Sequence, residues 1–174
     1  MKSHEEHRRA APKSVKVSLI TISTSRYKKV SKGIRVADES GSTALKLVEA
    51  AGHKVTSTKI VDDDISMIRR ELFKSIYEEG ADAVILMGGT GLAKRDVTIE
   101  SVKPLLDKEL DGFAEVFRMV SYKEIGTSAY LSRGIAGSIE GRMVYCLPGS
   151  PNAVKTGLEL ILPELPHAVH IAKM

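Results

Sequence analysis

The sequence predicts an α/β protein in three layers, α/β/α, around a mostly parallel sheet that contains one antiparallel strand. Two observations carry this. Short apolar runs rich in β-branched residues, at 15–22, 55–61 and 83–87, alternate with stretches whose apolar residues recur at helical spacing. That alternation calls for a mostly parallel sheet with helices on both faces. Two later runs, 134–139 and 142–147, are separated only by Glu140-Gly141, a pair suited to a tight hairpin, so one of them runs antiparallel to the rest.

Residues 15–22 read as the first strand, ended by Ser23-Thr24-Ser25. Residues 26–38 carry Arg26, Lys28, Lys29, Lys32 and Arg35 without a convincing apolar period. They read either as a solvated loop or as a cationic flap over an anionic substrate. Asp38-Glu39-Ser40-Gly41 leads into a helix with Ala44, Leu45, Leu47, Val48 and Ala51 on its apolar stripe, stopped by Gly52. A second strand, 55–61, exits into Asp62-Asp63-Asp64. Three adjacent carboxylates repel one another. One suits the N-cap of the next helix, and at least one other is open to a metal or a ligand hydroxyl. Ile65, Ile68, Leu72 and Ile76 mark that helix, which ends at Gly80.

The third strand, 83–87, stops abruptly at Gly88-Gly89-Thr90-Gly91. Lys94, Arg95 and Asp96 follow, and Thr98 is the expected N-cap of a short helix over 98–106 that Pro104 disturbs. Phe113, Val116, Phe117 and Val120 place an apolar stripe on the next helix, expected in the core or at a subunit interface. Gly126-Thr127-Ser128 restarts a short helix to Leu131. Cys146, in the last apolar run, is expected to be buried and inert. Pro148-Gly149-Ser150-Pro151 ends that run, with Ser150 as N-cap and Pro151 as first helical residue. Val154, Leu158, Ile161, Leu162 and Leu165 give the final helices a buried face.

At 174 residues the chain is long enough for one domain with a proper core. The expected organisation is a mobile N-terminal arm over 1–14, or a segment that orders on oligomerisation, followed by a single domain over 15–174. A hydrophobic content of 43% against 28% charged residues is a soluble, globular balance. No apolar run approaches a membrane span, and no hydrophobic signal core opens the chain, so neither membrane nor export is expected. Cys146 is the only cysteine, which excludes an intramolecular disulfide and points to a cytoplasmic setting. A net charge of +4 suits an anionic ligand. With aromatics at 5% and no tryptophan, stacking platforms for single-stranded nucleic acid are scarce, and no nucleic-acid partner is expected.

The chemistry gathers at strand ends. A buried strand delivering a Gly-rich loop is how an open α/β sheet builds a ligand site at its carboxyl edge. Glycines let the backbone approach an anion and turn N–H groups toward it, although a turn can need glycine for its own sake. Gly88–Gly91 and Pro148–Ser150 both leave strands and enter helices, so two anionic groups are expected side by side. Asp96 cannot bind a phosphate directly and implies a bridging cation, and strand-end carboxylates beside phosphate cradles commonly hold Mg²⁺ between phosphates. His53, His167 and His170 lie in no metal-binding spacing. No Ser/His/Asp nucleophilic set is visible.

In combination, Gly88-Gly89-Thr90-Gly91, Arg95-Asp96-Val97-Thr98, Leu131-Ser132-Arg133 and Leu147-Pro148-Gly149-Ser150 resemble the MoaB/Mog family of molybdenum-cofactor biosynthesis, to which the gephyrin G domain belongs. The likeness runs from Val15 through nearly the whole chain. Asp38-Glu39-Ser40-Gly41, 112–118 and 124–128 look closer to MoaB than to MogA. The resemblance implies the MoaB/Mog molybdopterin-binding fold, assembled as a trimer or hexamer. It implies adenylylation of the terminal phosphate of molybdopterin by Mg-ATP with release of pyrophosphate, and delivery of the product to a metal-insertion partner of the MoeA type. Carried over by motif, Asp63 and Asp96 are the acids important to catalysis; the residue chemistry itself makes Asp96 the expected metal ligand. Gly88, Gly89, Thr90, Gly91, Pro148, Gly149 and Ser150 hold molybdopterin, with Glu115 nearby. Two rival readings are a non-catalytic molybdopterin carrier or scaffold, against which the retained Asp96 argues, and a nucleic-acid or generic nucleotide binder.

Overall fold

The structure is a computed structural model and describes residues 8–174. Among these, six strands form one sheet in the order β2-β1-β3-β6-β5-β4. The strands are β1 (Lys16–Ile22), β2 (Lys54–Val61), β3 (Ala83–Met87), β4 (Lys108–Glu109), β5 (Ile135–Ile139) and β6 (Arg142–Leu147). β1 pairs in parallel with β2 and β3, and β3 with β6, whereas β5 is antiparallel to both β6 and β4. The hairpin turn places Glu140 at φ 45 and Gly141 at φ 74, both left-handed as a two-residue turn between twisted strands demands.

The helices are α1 (Thr24–Val30), α2 (Glu39–Ala50), α3 (Ile65–Phe73), α4 (Thr98–Val102), α5 (Asp111–Ile125), α6 (Pro151–Ile161) and α7 (Leu165–Ala172). Period-2 alternation along the strands divides the apolar side chains between two cores. Ala83, Ile85 and Met87 of β3 face one side, with Val48, Phe117, Leu158 and Leu165 from α2, α5, α6 and α7. Val84 and Leu86 face the other, with Ile68, Leu72 and Val102 from α3 and α4. Two separate cores on one sheet make the three layers. Cys146 is fully buried on β6, and burial pushes its thiol pKa up, so it is unreactive.

The structure departs from the local reading at five points. Residues 24–30, within the region that lacks an apolar period, are helical: Ser23 caps α1 by accepting from Arg26 N–H, and the helix buries no residue. Hydrophobic periodicity therefore had nothing to register. β4 is only two exposed residues on the sheet edge, too short to show alternation. The helix after β2 ends as α at Phe73 and continues as a π-turn over Lys74–Glu78. Val97, not Thr98, occupies the N-cap of α4. The expected 98–106 helix divides into α4 and a 3₁₀ turn, Lys103–Leu105, around Pro104. Of the expected N-terminal arm, residues 1–7 lie outside the described residues; farther on, Arg8 pairs with Glu164, and the Ser14 hydroxyl donates to Gly52 O at 2.8 Å. Among the described residues, no helix is long and apolar enough to cross a membrane.

The amino-terminal end of the sheet is tied at Asp82. Its carboxylate accepts from Lys16 N–H at 2.9 Å and from Lys173 Nζ at 2.6 Å, and lies 3.7 Å from Arg142. Burial alone pushes this carboxyl up, but the hydrogen bonds from Lys173 and Lys16 and the neighbouring charges outweigh it, so its pKa is below the ordinary value. A depressed carboxyl contributes stability that is complete above the unfolded value of about 3.9 and is lost as pH falls through the lowered folded value. Asp82→Asn is expected to cost about 1–3 kcal/mol at neutral pH, with the difference from the parent closing in acid, as measured by urea unfolding at several pH values.

Candidate functional site

The carboxyl ends of β1, β3 and β6 lie side by side, and the segments leaving them build one cavity. Gly88 N–H donates to Leu147 O at 2.9 Å, continuing the β3–β6 ladder one residue past the strand. Gly88 then turns to φ 106 and Gly89 to φ 62. A Cβ on Gly88 would sit 2.4 Å from Ile22 O, and one on Gly89 would sit 2.5 Å from Thr98 Oγ1 and 2.6 Å from Asp63 Oδ1. Both positions therefore need glycine for backbone angle and for space. The second loop packs against the first: a Cβ on Gly149 would lie 2.9 Å from Gly88 Cα.

Buried hydroxyls lock these loops. The Thr98 side chain, read from sequence as a cap, instead donates to Gly88 O at 2.7 Å, and Thr98 N–H donates to Gly89 O at 2.9 Å. On the other side Ser40 Oγ donates to Gly149 O at 2.6 Å. Ser40 is placed by the N-cap of α2, where Asp38 accepts from Gly41 N–H at 3.0 Å and from Thr21 Oγ1 at 2.6 Å. Ser150 caps α6 by accepting from Ala153 N–H at 3.2 Å, with Pro151 as the first helical residue.

The cavity, about 420 Å³, is lined by Gly88, Gly89, Thr90, Gly91, Asp96, Pro148 and Gly149, together with Thr21, Ser23, Arg26, Ser128, Ser132 and Arg133. Asp96 Oδ2 accepts from Ala93 N–H at 3.0 Å. The aspartate triplet resolves into three different environments. Asp64 caps α3 by accepting from Met67 N–H at 2.9 Å. Asp62 accepts from Thr24 Oγ1 and from Asp63 N–H, and lies 3.6 Å from Arg95. Asp63 Oδ2 accepts from Thr24 N–H at 2.9 Å, and its Oδ1 is turned to Gly89. Among the described residues, no group of three or more His, Cys, Asp or Glu side chains is arranged to hold a metal ion.

The structure thus brings together Gly88 through Gly91, Asp96, Pro148 and Gly149, with Asp63 behind Gly89. Ser150 sits one residue beyond the lining. Glu115 lines a neighbouring cleft of about 760 Å³, with Glu100, Lys103, Arg118 and Arg133. Among the five cations of residues 26–35, Arg26 alone lines the cavity, and Lys94 is exposed outside it. Thr21 carried no sequence signal of a site, whereas Ser128 and Ser132 lay inside motifs of the family likeness without an assigned role. Arg133 lay inside a quoted motif but had no assigned role. It bonds Gly91 O at 3.0 Å and Glu100 Oε1 at 2.5 Å. Burial pushes the Glu100 carboxyl up, but the hydrogen bond and charge of Arg133 outweigh it and leave the group below its ordinary value.

Two glycine loops, several hydroxyls, Arg26, Arg133 and the Asp96 carboxylate thus line one cavity at the carboxyl edge of the sheet, the place where open α/β sheets commonly bind ligands. Comparisons with known proteins place the chain in a family. The family described as "Probable molybdopterin binding domain" matches residues 18–167. Molybdenum cofactor biosynthesis protein B of Bacillus cereus is 48% identical over 164 residues, 93% of each chain. A protein of Pyrococcus furiosus named molybdopterin adenylyltransferase is 46% identical over 173 residues, 97% of this chain and 98% of that one. The crystal structure of the tungsten cofactor synthesizing protein MoaB from Pyrococcus furiosus superposes with a TM-score of 0.84 at 45% identity, covering 94% of this chain and all of that one. This chain belongs to the MoaB/Mog family of molybdenum-cofactor biosynthesis proteins.

Proposed function

We propose that this chain is a molybdopterin adenylyltransferase acting in molybdenum- or tungsten-cofactor synthesis. The observation that carries the reading is the convergence of both glycine loops and Asp96 on one cavity, in a chain whose relatives include proteins named for this activity. An ionised oxygen of the pterin phosphate attacks the α-phosphorus of ATP. A new P–O bond forms, the bond from that phosphorus to the α,β-bridging oxygen breaks, and pyrophosphate leaves with the electron pair. The attacking oxygen is already deprotonated near neutral pH, so the chain supplies position and charge rather than acid–base chemistry.

In this scheme Gly88, its own N–H held by Leu147 O, sets the turn of the loop, N–H groups of Gly89, Thr90 and Gly91 cradle phosphate oxygens, and Pro148, Gly149 and Ser150 form the second wall. Asp63, aligned by Thr24, stiffens the back of the first loop. Glu115 contacts the part of the pterin that extends past Arg133. Mg²⁺ commonly takes one or two protein carboxylates and fills its shell with water and substrate phosphates. Asp96 fits this: one carboxylate oxygen is fixed by Ala93 N–H, and the other accepts nothing from the described residues. When bound, Mg²⁺ would neutralise charge on the ATP oxygens. The reaction requires a downstream consumer of the adenylylated pterin, a metal-insertion partner of the MoeA type, in the cytoplasm. Incubating the chain with molybdopterin and Mg-ATP tests the proposal. Adenylylated molybdopterin is the expected product, whereas bound molybdopterin with intact ATP would make the chain a carrier.

Assembly follows from α5. Phe117 is buried and Phe113 stacks on it and meets the Tyr145 ring edge-on. Val116, Met119 and Tyr122 of the same helix are 42%, 56% and 59% exposed, and Leu110, Ile125, Tyr130 and Leu131 lie exposed at its ends. Exposed apolar side chains gathered along and beside one helix mark an interaction face, and the proposed occupant is a second copy, in a trimer or hexamer. Light scattering at micromolar concentration is expected to give a multiple of the single-chain mass; the single-chain mass would contradict it.

A further inference from the structure

Among the described residues, Arg133 is the one that lines both the cavity at the glycine loop and the neighbouring cleft that holds Glu115. Its side chain is 29% exposed. One terminal nitrogen is held by Gly91 O and the other by Glu100. A guanidinium carries five N–H donors in a planar fork, so donors remain for the space on either side. Such a fork matches a phosphate bidentately. Glu100 is 47% exposed, and an exposed ion pair is a weak hold that an anion of higher charge displaces.

The other cations nearby are placed differently. Lys94 and Arg95 are exposed outside the cavity, Arg95 toward Asp62. Arg26 lines the cavity from α1, with its Nε committed to Ala37 O at 3.2 Å. Among the described residues, the cations in the cavity wall are thus Arg26 and Arg133, against the single carboxylate of Asp96. Adenylylation joins two phosphates, and they must meet within contact distance. A cation at the seam between two clefts is the one placed to touch both.

We propose that Arg133 is a phosphate-binding residue at this seam, aligned by Gly91 O and exchanging Glu100 for the bound oxyanion. The inference rests on the adenylyltransferase reading and deepens it. The oxyanion is the monophosphate of molybdopterin or the triphosphate of ATP, and separate titrations distinguish them. The full chain, Arg133→Gln, Arg133→Lys and Glu100→Gln are titrated with molybdopterin and with Mg-ATP, and each variant's melting temperature is recorded. Arg133→Gln, folded, is expected to lose about tenfold or more in affinity for the ligand whose phosphate sits at the seam, as for a charged hydrogen bond removed. Arg133→Lys keeps the charge but not the fork and recovers only part of that loss. Glu100→Gln removes a competing carboxylate and is expected to bind about twofold to fivefold more tightly. Wild-type affinity of Arg133→Gln for both ligands would overturn the inference. So would equal losses in Arg133→Gln and Glu100→Gln, which would make the pair a staple on the loop. A wild-type chain that binds both ligands but forms no product would overturn the adenylyltransferase reading and leave Arg133 as a phosphate-binding residue.

Discussion

Asp96→Asn is expected to lower adenylylation by about 10²–10⁴-fold, the range that several kcal/mol of lost charge stabilisation in the transition state corresponds to. The substitution preserves shape, and the asparagine oxygen can still accept from Ala93 N–H as Asp96 Oδ2 does. What disappears is the negative charge that a cation on the ATP phosphates would need. Molybdopterin affinity should hold or rise slightly, because a carboxylate next to a phosphate site has been removed. Single-turnover product formation and pterin titration on one preparation separate the outcomes. Near-normal turnover would remove the metal role, and equal loss of turnover and binding would make Asp96 a prop for its loop.

Gly91→Val is the second large effect. Gly91 does not have a left-handed φ, so the backbone tolerates a side chain there. Space does not: a Cβ would lie 2.7 Å from Asp96 Oδ2. A branched side chain pushes the carboxylate aside and fills the mouth of the cradle, while Gly91 O can still receive Arg133. The folded variant is expected to lose molybdopterin affinity by about tenfold or more, with turnover falling further because Asp96 is displaced as well. Unchanged affinity on a folded sample would take this loop out of the site.

The architecture was legible where burial left a periodic trace. β3 is buried throughout and β6 from Met143 on, and both were bounded correctly because Gly88 and Pro148 interrupt apolar runs abruptly. Ser150-Pro151 was legible as a cap for the same reason: helix-start chemistry is local. α1 was not, because it buries nothing and its only signal is the Ser23 cap. β4 was not, because two edge residues have no period.

The site was half legible. Local motifs pointed to the two loops and to Asp96, but their meeting depends on the β3–β6 pairing. Spacing could not choose among Asp62, Asp63 and Asp64; it takes the contact with Thr24, about forty residues away in sequence, to turn Asp63 toward Gly89. Thr98 looked like a cap because threonine before an apolar run usually is one, whereas its buried hydroxyl latches Gly88 O. Arg133 reaches Gly91 from 42 residues downstream, a juxtaposition that only the tertiary fold creates.

The central claim is transfer of an adenylyl group to molybdopterin, and the most direct measurement follows the phosphorus atoms. The chain is mixed with molybdopterin, Mg²⁺ and ATP labelled at the α- or the γ-phosphate. The expected result is α-label in the pterin product, γ-label in pyrophosphate, equal amounts of the two, and neither product without molybdopterin. ATP left intact beside bound molybdopterin, or γ-label released as orthophosphate with no α-label on the pterin, would contradict it.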